Sequence, residues 1–272
     1  RATGPTSGGH ARAKIGAKKD GTLVAAELEM EYEAGAFAGS PVKLGCMTGF
    51  APYNLKHVSC IGWDVVVNRP QAAAYRAPGA PVAAFAVESA MDELADTLGI
   101  DPLELRIKNA AVEGTQAPYG VKFPKIGCLE TLREAQATEH YNMPLGPNQG
   151  RGVASGFWFN IGGQSSASVM VNPDGTVIVA TGSPDIGGSR ASMALMAAEV
   201  LGIDYDNIKP LVADTESVPF SDLTGGSRVT FATGKAVVEA AEDAVNDMKR
   251  RAAKVWDVDI DQVEWKDGIA TC

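Results

Sequence analysis

Twice along this chain, alternating apolar and polar residues run into a tight polar turn and back out, and each such pair is followed by helical patterns. In the first copy His10–Ala17 alternates, Lys19-Asp20-Gly21 turns and Thr22–Ala34 returns. In the second, Ala167–Val171 leads into Asn172-Pro173-Asp174-Gly175 and Thr176–Thr181 completes the pair. Period-two runs on either side of Asp/Asn- and Gly-bearing turns predict antiparallel hairpins. Strands and helices that come in clusters, not in strict alternation, predict an α+β fold with mixed sheets and packed helices, and argue against a doubly wound sheet.

Other elements follow the same reasoning. A short helix is expected within Pro41–Phe50 and a Val/Ile-rich strand over Val58–Val67, before the proline- and glycine-punctuated loop Asn68–Pro81. Val82–Leu98 carries an apolar stripe at Ala84, Val87, Met91, Leu94 and Leu98, with Glu88, Asp92 and Asp96 on another face. Glu88 there reads as exposed or capping, and Asp92, Glu93 and Asp96 as a solvated face. Asp101-Pro102-Leu103-Glu104 supplies a cap, a proline at the first helical position and a glutamate at the third. A helix is expected over Leu129–Ala137, strands at Arg151–Asn160 and near Ile208–Ala213, and helices over Ser189–Leu201 and from about Val229 to Trp256. The last is acidic early and basic late, as its dipole favours. Two prolines and two glycines mark 141–150 as a linker between a first domain (1–140) and a second (151–272). A chain of 272 residues can hold two such cores. It opens on Arg1 and closes on an Asp267-Gly268 hairpin with its second strand barely begun, so both domains read as incomplete parts of a longer polypeptide.

The formal net charge of −9 argues against nucleic acid or an anionic membrane as partner. No apolar run approaches the ~20 residues that span a bilayer. Cys46, Cys60, Cys128 and Cys272 are scattered without a C-x-x-C pair, which fits neither zinc nor an iron–sulfur cluster. Buried free thiols and a cytoplasmic, reducing location are expected, although a leader upstream of Arg1 would allow a periplasmic one. His10, His57 and His140 have no triad or metal context. Ser165, Ser166 and Ser189 lack a nucleophile-elbow setting, and Phe157, Trp158 and Phe159 read as strand packing. Any metal in use is not held by this chain's side chains.

The tetrapeptide Gly-Gly-Ser-Arg occurs at Gly187–Arg190 and again at Gly225–Arg228, each time opening an expected helix. Glycine turns let the backbone approach a ligand, and a helix start offers unpaired N–H groups and a positive dipole end. The arginines can add a grip on phosphate. Together the two junctions predict a site for a large anionic ligand held mainly by backbone.

The stretch Ala74-Tyr75-Arg76-Ala77-Pro78-Gly79-Ala80-Pro81, continuing through Phe85–Ala95 into Leu98–Arg106 and Lys108-Asn109, resembles the molybdopterin-binding subunit of the xanthine dehydrogenase and aldehyde oxidoreductase family. Thr181–Ala198, Asp214-Thr215 through Thr224–Ser227, and Gly234–Val237 are similar to that family's next cofactor segments, in the right order. The resemblance implies a molybdenum held by an organic pterin, with or without a cytosine dinucleotide tail. It places Arg76 and Ala77 against the cofactor near the metal, with the residues after them shaping the substrate pocket, counts Gly79 among the cofactor-binding residues, and sets Gly187, Gly188, Ser189, Arg190, Thr224, Gly225, Gly226, Ser227 and Arg228 on pterin or tail. It implies water-dependent hydroxylation of a small aldehyde or N-heterocycle, with a glutamate as general base. Iron–sulfur clusters and, in some relatives, FAD on partner domains or subunits would take the electrons. Three departures accompany it. The family's upstream Gly/Phe-rich loop and its catalytic Gly-x-Gly-Glu fall outside this sequence, so the piece alone is expected to be inactive, with no catalytic residue of its own. Gly188 stands where many relatives carry glutamine. Val42-Lys43-Leu44-Gly45 lacks the arginine of purine-oxidising relatives, against xanthine as substrate. The competing expectation is a scaffold or binding module that kept the fold without the cofactor.

Overall fold

A computed structural model describes residues 3–159 and 162–272, and the chain divides into two compact units, Arg1–Trp158 and Phe159–Cys272. The first unit begins with strands β1 (Gly9–Ala17) and β2 (Leu23–Gly35), antiparallel with Ala13 opposite Leu28. Along β2 the side chains of Ala26, Leu28, Met30, Tyr32 and Ala34 are buried, while Glu27, Glu29 and Glu31 between them are exposed. That alternation fixes the register, because a one-residue slip would turn the glutamates into the core. Helix α1 (Val42–Thr48) follows, and β3 (His57–Val66) then joins β2 in parallel. Helix α2 (Ala80–Leu98) lays Ala83, Val87, Met91 and Ala95, all fully buried at four-residue spacing, against this sheet. It opens at Ala80, slightly before the expected start, because Pro81 suits a first helical turn. It stops at Gly99, whose φ of 66° is left-handed. Helix α3 (Pro102–Asn109) has the anticipated cap, with Asp101 Oδ1 accepting from the N–H groups of Leu103 and Glu104 at 2.9 Å each. Helices α4 (Cys128–Ala137) and α5 (Glu139–Asn142) complete the regular structure of this unit.

The second unit repeats the path. Strands β4 (Ala167–Val171) and β5 (Val177–Thr181) form the expected hairpin, helix α6 (Ser189–Leu201) crosses over, and β6 (Ile208–Val212) joins β5 in parallel. Helix α7 (Gly234–Trp256) packs on β4 and α6, with Val237 and Ala241 in the core beside Met193, Ala197 and Leu201. A final hairpin, β7 (Glu264–Lys266) and β8 (Ile269–Thr271), turns through Asp267 and Gly268 at φ 49° and 73°. The two three-stranded sheets therefore share one topology: a hairpin, a helix, a parallel third strand and a second helix.

Several sequence expectations differ from the structure. Arg151–Phe159 form no strand, and Asn160 lies outside the described residues. The compact units divide at Trp158/Phe159 instead of within 141–150, because the intervening segment is tied to the first unit. Tyr141 donates its hydroxyl to Asp101 at 2.8 Å, Ser155 N–H donates to Glu88 at 2.7 Å, and the Phe157 ring lies 5.5 Å from that of Phe123. The last long helix does not begin as α-helix: Val229–Thr233 form one π-helical turn before α7. All four cysteines are free, three of them half-buried, but Cys272 is exposed.

Candidate cofactor-binding site

In each unit the two strands that run parallel are each followed by a loop and a helix, so both helix starts of a unit lie at the carboxyl ends of its strands. That edge is where open sheets with parallel strands bind ligands, since loops and helix N-termini converge there. In the first unit the convergence is tight. Gly79, at φ 83°, precedes α2, and a Cβ on it would lie 2.3 Å from the Pro41 carbonyl oxygen and 2.9 Å from Gly45 N of α1. No other residue fits there. Tyr32, on β2, donates its hydroxyl to the Gly79 carbonyl at 2.8 Å, and burial pushes its phenol up to about 12. Ala77 also holds a left-handed φ, 47°, in this turn. Arg76 just before it is exposed.

Beside this turn lies an apolar cleft of about 330 Å³, lined by Thr48, Ala77, Pro81, Ala84, Phe157 and Trp158 among others. The aromatic segment expected to pack within a strand thus borders a cleft. Its anchor is a buried polar cluster. Glu88, only 5% exposed, accepts from Tyr53 Oη at 2.5 Å, Arg106 Nε at 2.8 Å and Ser155 N–H at 2.7 Å. Arg106, fully buried, also pairs with Asp92 at 2.8 Å. This corrects the exposed reading of Glu88 and the purely solvated reading of Asp92. Burial, reinforced by the adjacent Glu88 carboxylate, holds the Tyr53 phenol well above its ordinary range. Removing either member of the Glu88–Arg106 pair would strand the other, at about 3–5 kcal/mol.

In the second unit the two Gly-Gly-Ser-Arg copies lie on the loops entering α6 and α7. Gly187 and Gly188 are both left-handed, at φ 68° and 82°, with open space where a Cβ would stand. Among the described residues the main-chain N–H groups of Gly187, Gly188 and Ser189 have no hydrogen-bond partner. Ser189 is buried, its hydroxyl 3.4 Å from the Pro184 carbonyl and from Ile186 N. Arg190 is half-exposed and sits 3.5 Å from the Asp185 carboxylate, which also accepts from Arg190 N–H at 3.1 Å. In the second copy Gly226 and Ser227 are left-handed, at φ 64° and 57°, and Thr224 and Ser227 are exposed. Arg228 is 3% exposed and points inward. It donates to the carbonyls of Gly162 (2.5 Å), Gln164 (2.7 Å) and Asp222 (2.9 Å), and to the Ser165 hydroxyl. Its guanidinium is therefore spent inside the unit and does not present the outward phosphate grip expected from the sequence. No group of three His, Cys, Asp or Glu side chains converges among the described residues, and no helix there is long and apolar enough to cross a membrane.

The comparisons with known proteins decide the family. Residues 127–272 match the molybdopterin cofactor-binding domain, and residues 1–110 match a second family model of the same description. The chain belongs to the molybdopterin-binding subunits of the xanthine dehydrogenase and aldehyde oxidoreductase family. Within that family it is 34% identical over 260 residues to the aldehyde oxidoreductase of Megalodesulfovibrio gigas, covering 89% of this chain and 28% of the relative. It is 31% identical over 250 residues to a putative xanthine dehydrogenase molybdenum-binding subunit of Escherichia coli (strain K12), covering 84% of this chain and 33% of that one. A solved aldehyde oxidoreductase from Desulfovibrio gigas superposes with a TM-score of 0.74 at 26% identity, over 97% of this chain and 33% of that structure. The chain thus spans a third or less of the length of these relatives.

Proposed function

We propose that this chain forms the pterin-holding part of a molybdenum hydroxylase that oxidises a small aldehyde or N-heterocycle with water. The observation that carries this is the pair of glycine-built helix starts of the second unit, with free main-chain donors at the α6 entrance, in a chain of a molybdopterin-binding family. The residues fit such a group: the open left-handed backbone at Gly187 and Gly188 lets a bulky ligand approach, and helix starts favour its phosphates. In this reading the backbone of Gly187–Ser189 and Thr224–Ser227 holds the pterin and its phosphate or cytosine dinucleotide tail. Arg190 adds surface charge, and Arg76, Ala77 and Gly79 stand on the metal side.

When bound, the cofactor supplies a metal that activates water and accepts electrons from the substrate carbon. This chain's residues orient that group, and the apolar cleft beside Ala77 and Pro81 excludes water around an aromatic or aliphatic substrate. The electrons require an acceptor beyond this chain: iron–sulfur clusters and, where present, FAD, on another domain or subunit.

One observation favours a second reading. The Asp185 carboxylate already caps the α6 entrance, so a negative charge stands where an anionic tail would lie. That would suit a scaffold that kept the fold without the cofactor. Molybdenum and pterin analysis of the full-length protein, purified with its partner subunits, separates the two. Stoichiometric molybdenum and pterin, followed by turnover of an aldehyde or heterocycle panel, is the expected result. Absence of both, from a host that loads a control enzyme, would replace the hydroxylase with the scaffold.

A further inference from the structure

Behind the second glycine turn, four hydroxyl groups from four separate segments close a ring. Ser165, before β4, lies 2.9 Å from Thr233 of the π turn, and Thr233 lies 2.9 Å from Ser183, just after β5. Ser183 lies 2.9 Å from Ser221 of the long loop, and Ser221 returns to Ser165 at 3.4 Å. In such a ring each hydroxyl donates once and accepts once, leaving a second lone pair free on every oxygen. Arg228 uses two of these, donating to Ser165 and Ser221, while its other protons go to backbone carbonyls. The Asp222 carboxylate closes the same knot by accepting Gln164 N–H at 2.6 Å.

What lies between the pinned points matters more than the knot itself. Ser221 and Asp222 are held on one side of the turn and Arg228 on the other, and Arg228 Nη1 bonds the Asp222 carbonyl directly. The span Leu223–Ser227 is thereby closed at its base. Inside it, beside Gly226 at φ 64°, Ser227 holds a left-handed angle that is costly for a residue with a side chain.

We propose that Arg228 is a positioning residue that clamps the second glycine turn, and with it the cofactor-facing backbone, through the hydroxyl ring of Ser165, Ser183, Ser221 and Thr233. This rests on the hydroxylase reading for the ligand, but the clamp itself is a property of the unit. The π turn belongs to the device: its wider backbone brings Thr233, fully buried, to the ring. Arginine is required because five protons in a planar fork reach three carbonyls and two hydroxyls at once, which a lysine ammonium cannot do.

The test compares two variants of the full-length protein with its partner subunits. Arg228→Gln removes the clamp. Leu201→Ala trims the core of the same unit at the far end of α6, as a control of comparable expected stability loss. Arg228→Gln should lose pterin about tenfold more readily on dialysis than the control, the change that 1.4 kcal/mol of binding represents. Amide hydrogen exchange should rise across 223–227 while α6 keeps its protection, and Arg228→Lys should recover only part of both. Equal pterin loss in Arg228→Gln and Leu201→Ala, at equal stability, would overturn the proposal. If Arg228→Gln does not fold, Thr233→Val opens the ring with the guanidinium in place, and the same two outcomes decide. A wild-type protein empty of pterin would sink the hydroxylase reading; unchanged protection of 223–227 in Arg228→Gln would then sink the clamp separately.

Discussion

The same four residues, Gly-Gly-Ser-Arg, lead into α6 and into α7, and their arginines end in opposite surroundings. In the first copy the two glycines take the left-handed angles, the serine starts the helix, and Arg190 reaches solvent beside Asp185. In the second copy the left-handed pair is shifted by one residue, onto Gly226 and Ser227, and Arg228 turns into the unit. The difference follows from what each loop must do. The first is short, running from the end of β5 at Thr181 to Ser189, and is held by local bonds of Ser189 and Asp185 without help from a buried arginine. The second spans the whole distance from Val212 to the π turn at Val229, and the buried, many-donor Arg228 joins the Asp222–Gln164 bonds and the hydroxyl ring in holding its base. A short repeated word thus specifies backbone handedness near a helix start, and the surrounding chain decides where the side chain goes.

The largest contrast should appear in stability. Arg228→Gln should cost at least about 3 kcal/mol, because several buried carbonyls and hydroxyls lose donors at about 1 kcal/mol or more each. Arg190→Gln removes only an exposed, long ion pair and should stay within about 1 kcal/mol. Chemical denaturation of the two variants measures this; equal losses would break the comparison. A smaller contrast separates the glycines. Gly188→Ala should cost about 1 kcal/mol although nothing blocks its Cβ, since the left-handed angle is the obstacle. Gly225→Ala meets only the tip of exposed Leu223, which can move aside, and should cost a few tenths of a kcal/mol on the same estimate of ordinary surface changes, about 0.5 or less.

The smallest effect concerns pH. Asp214, in the long loop, accepts from the Ser217 hydroxyl and Glu216 N–H, and these bonds hold its carboxyl below the usual carboxylate range. A depressed folded-state pKa contributes stability above the ordinary carboxylate value and loses it as pH falls through the lower folded one. Amide exchange at Glu216 and Ser217 should therefore speed up in acid relative to amides in the middle of α6, which no carboxylate caps. A loop whose exchange, corrected for intrinsic rates, is flat through that range would remove this distinction.

Much of the fold was legible because its signals are local. The hairpin turns at Asp20-Gly21 and Asp174-Gly175, the Asp101-Pro102 cap and the span of α6 each need only neighbouring residues. The parts that were not legible depend on distant partners. Glu88 sits beside a buried stripe, yet its burial rests on Tyr53 and Arg106, far away in sequence. Its position next to Val87 and three residues before Met91 was the available hint. Arg228 likewise finds its acceptors at Gly162–Ser165, before the strand that opens the unit. The segment Arg151–Trp158 has the composition of a strand but does not form one; Glu88 accepts Ser155 N–H and Phe123 packs beside Phe157.

The central claim is that backbone at the glycine turns, and not the arginine side chains beside them, holds the cofactor. Its most direct measurement is pterin occupancy in the full-length protein carrying Gly188→Val, compared with Arg190→Gln. The account predicts a strong loss of occupancy in the first, where a branched side chain covers the open left-handed backbone, and near-normal loading in the second. Full loading of Gly188→Val together with an empty Arg190→Gln protein would contradict it.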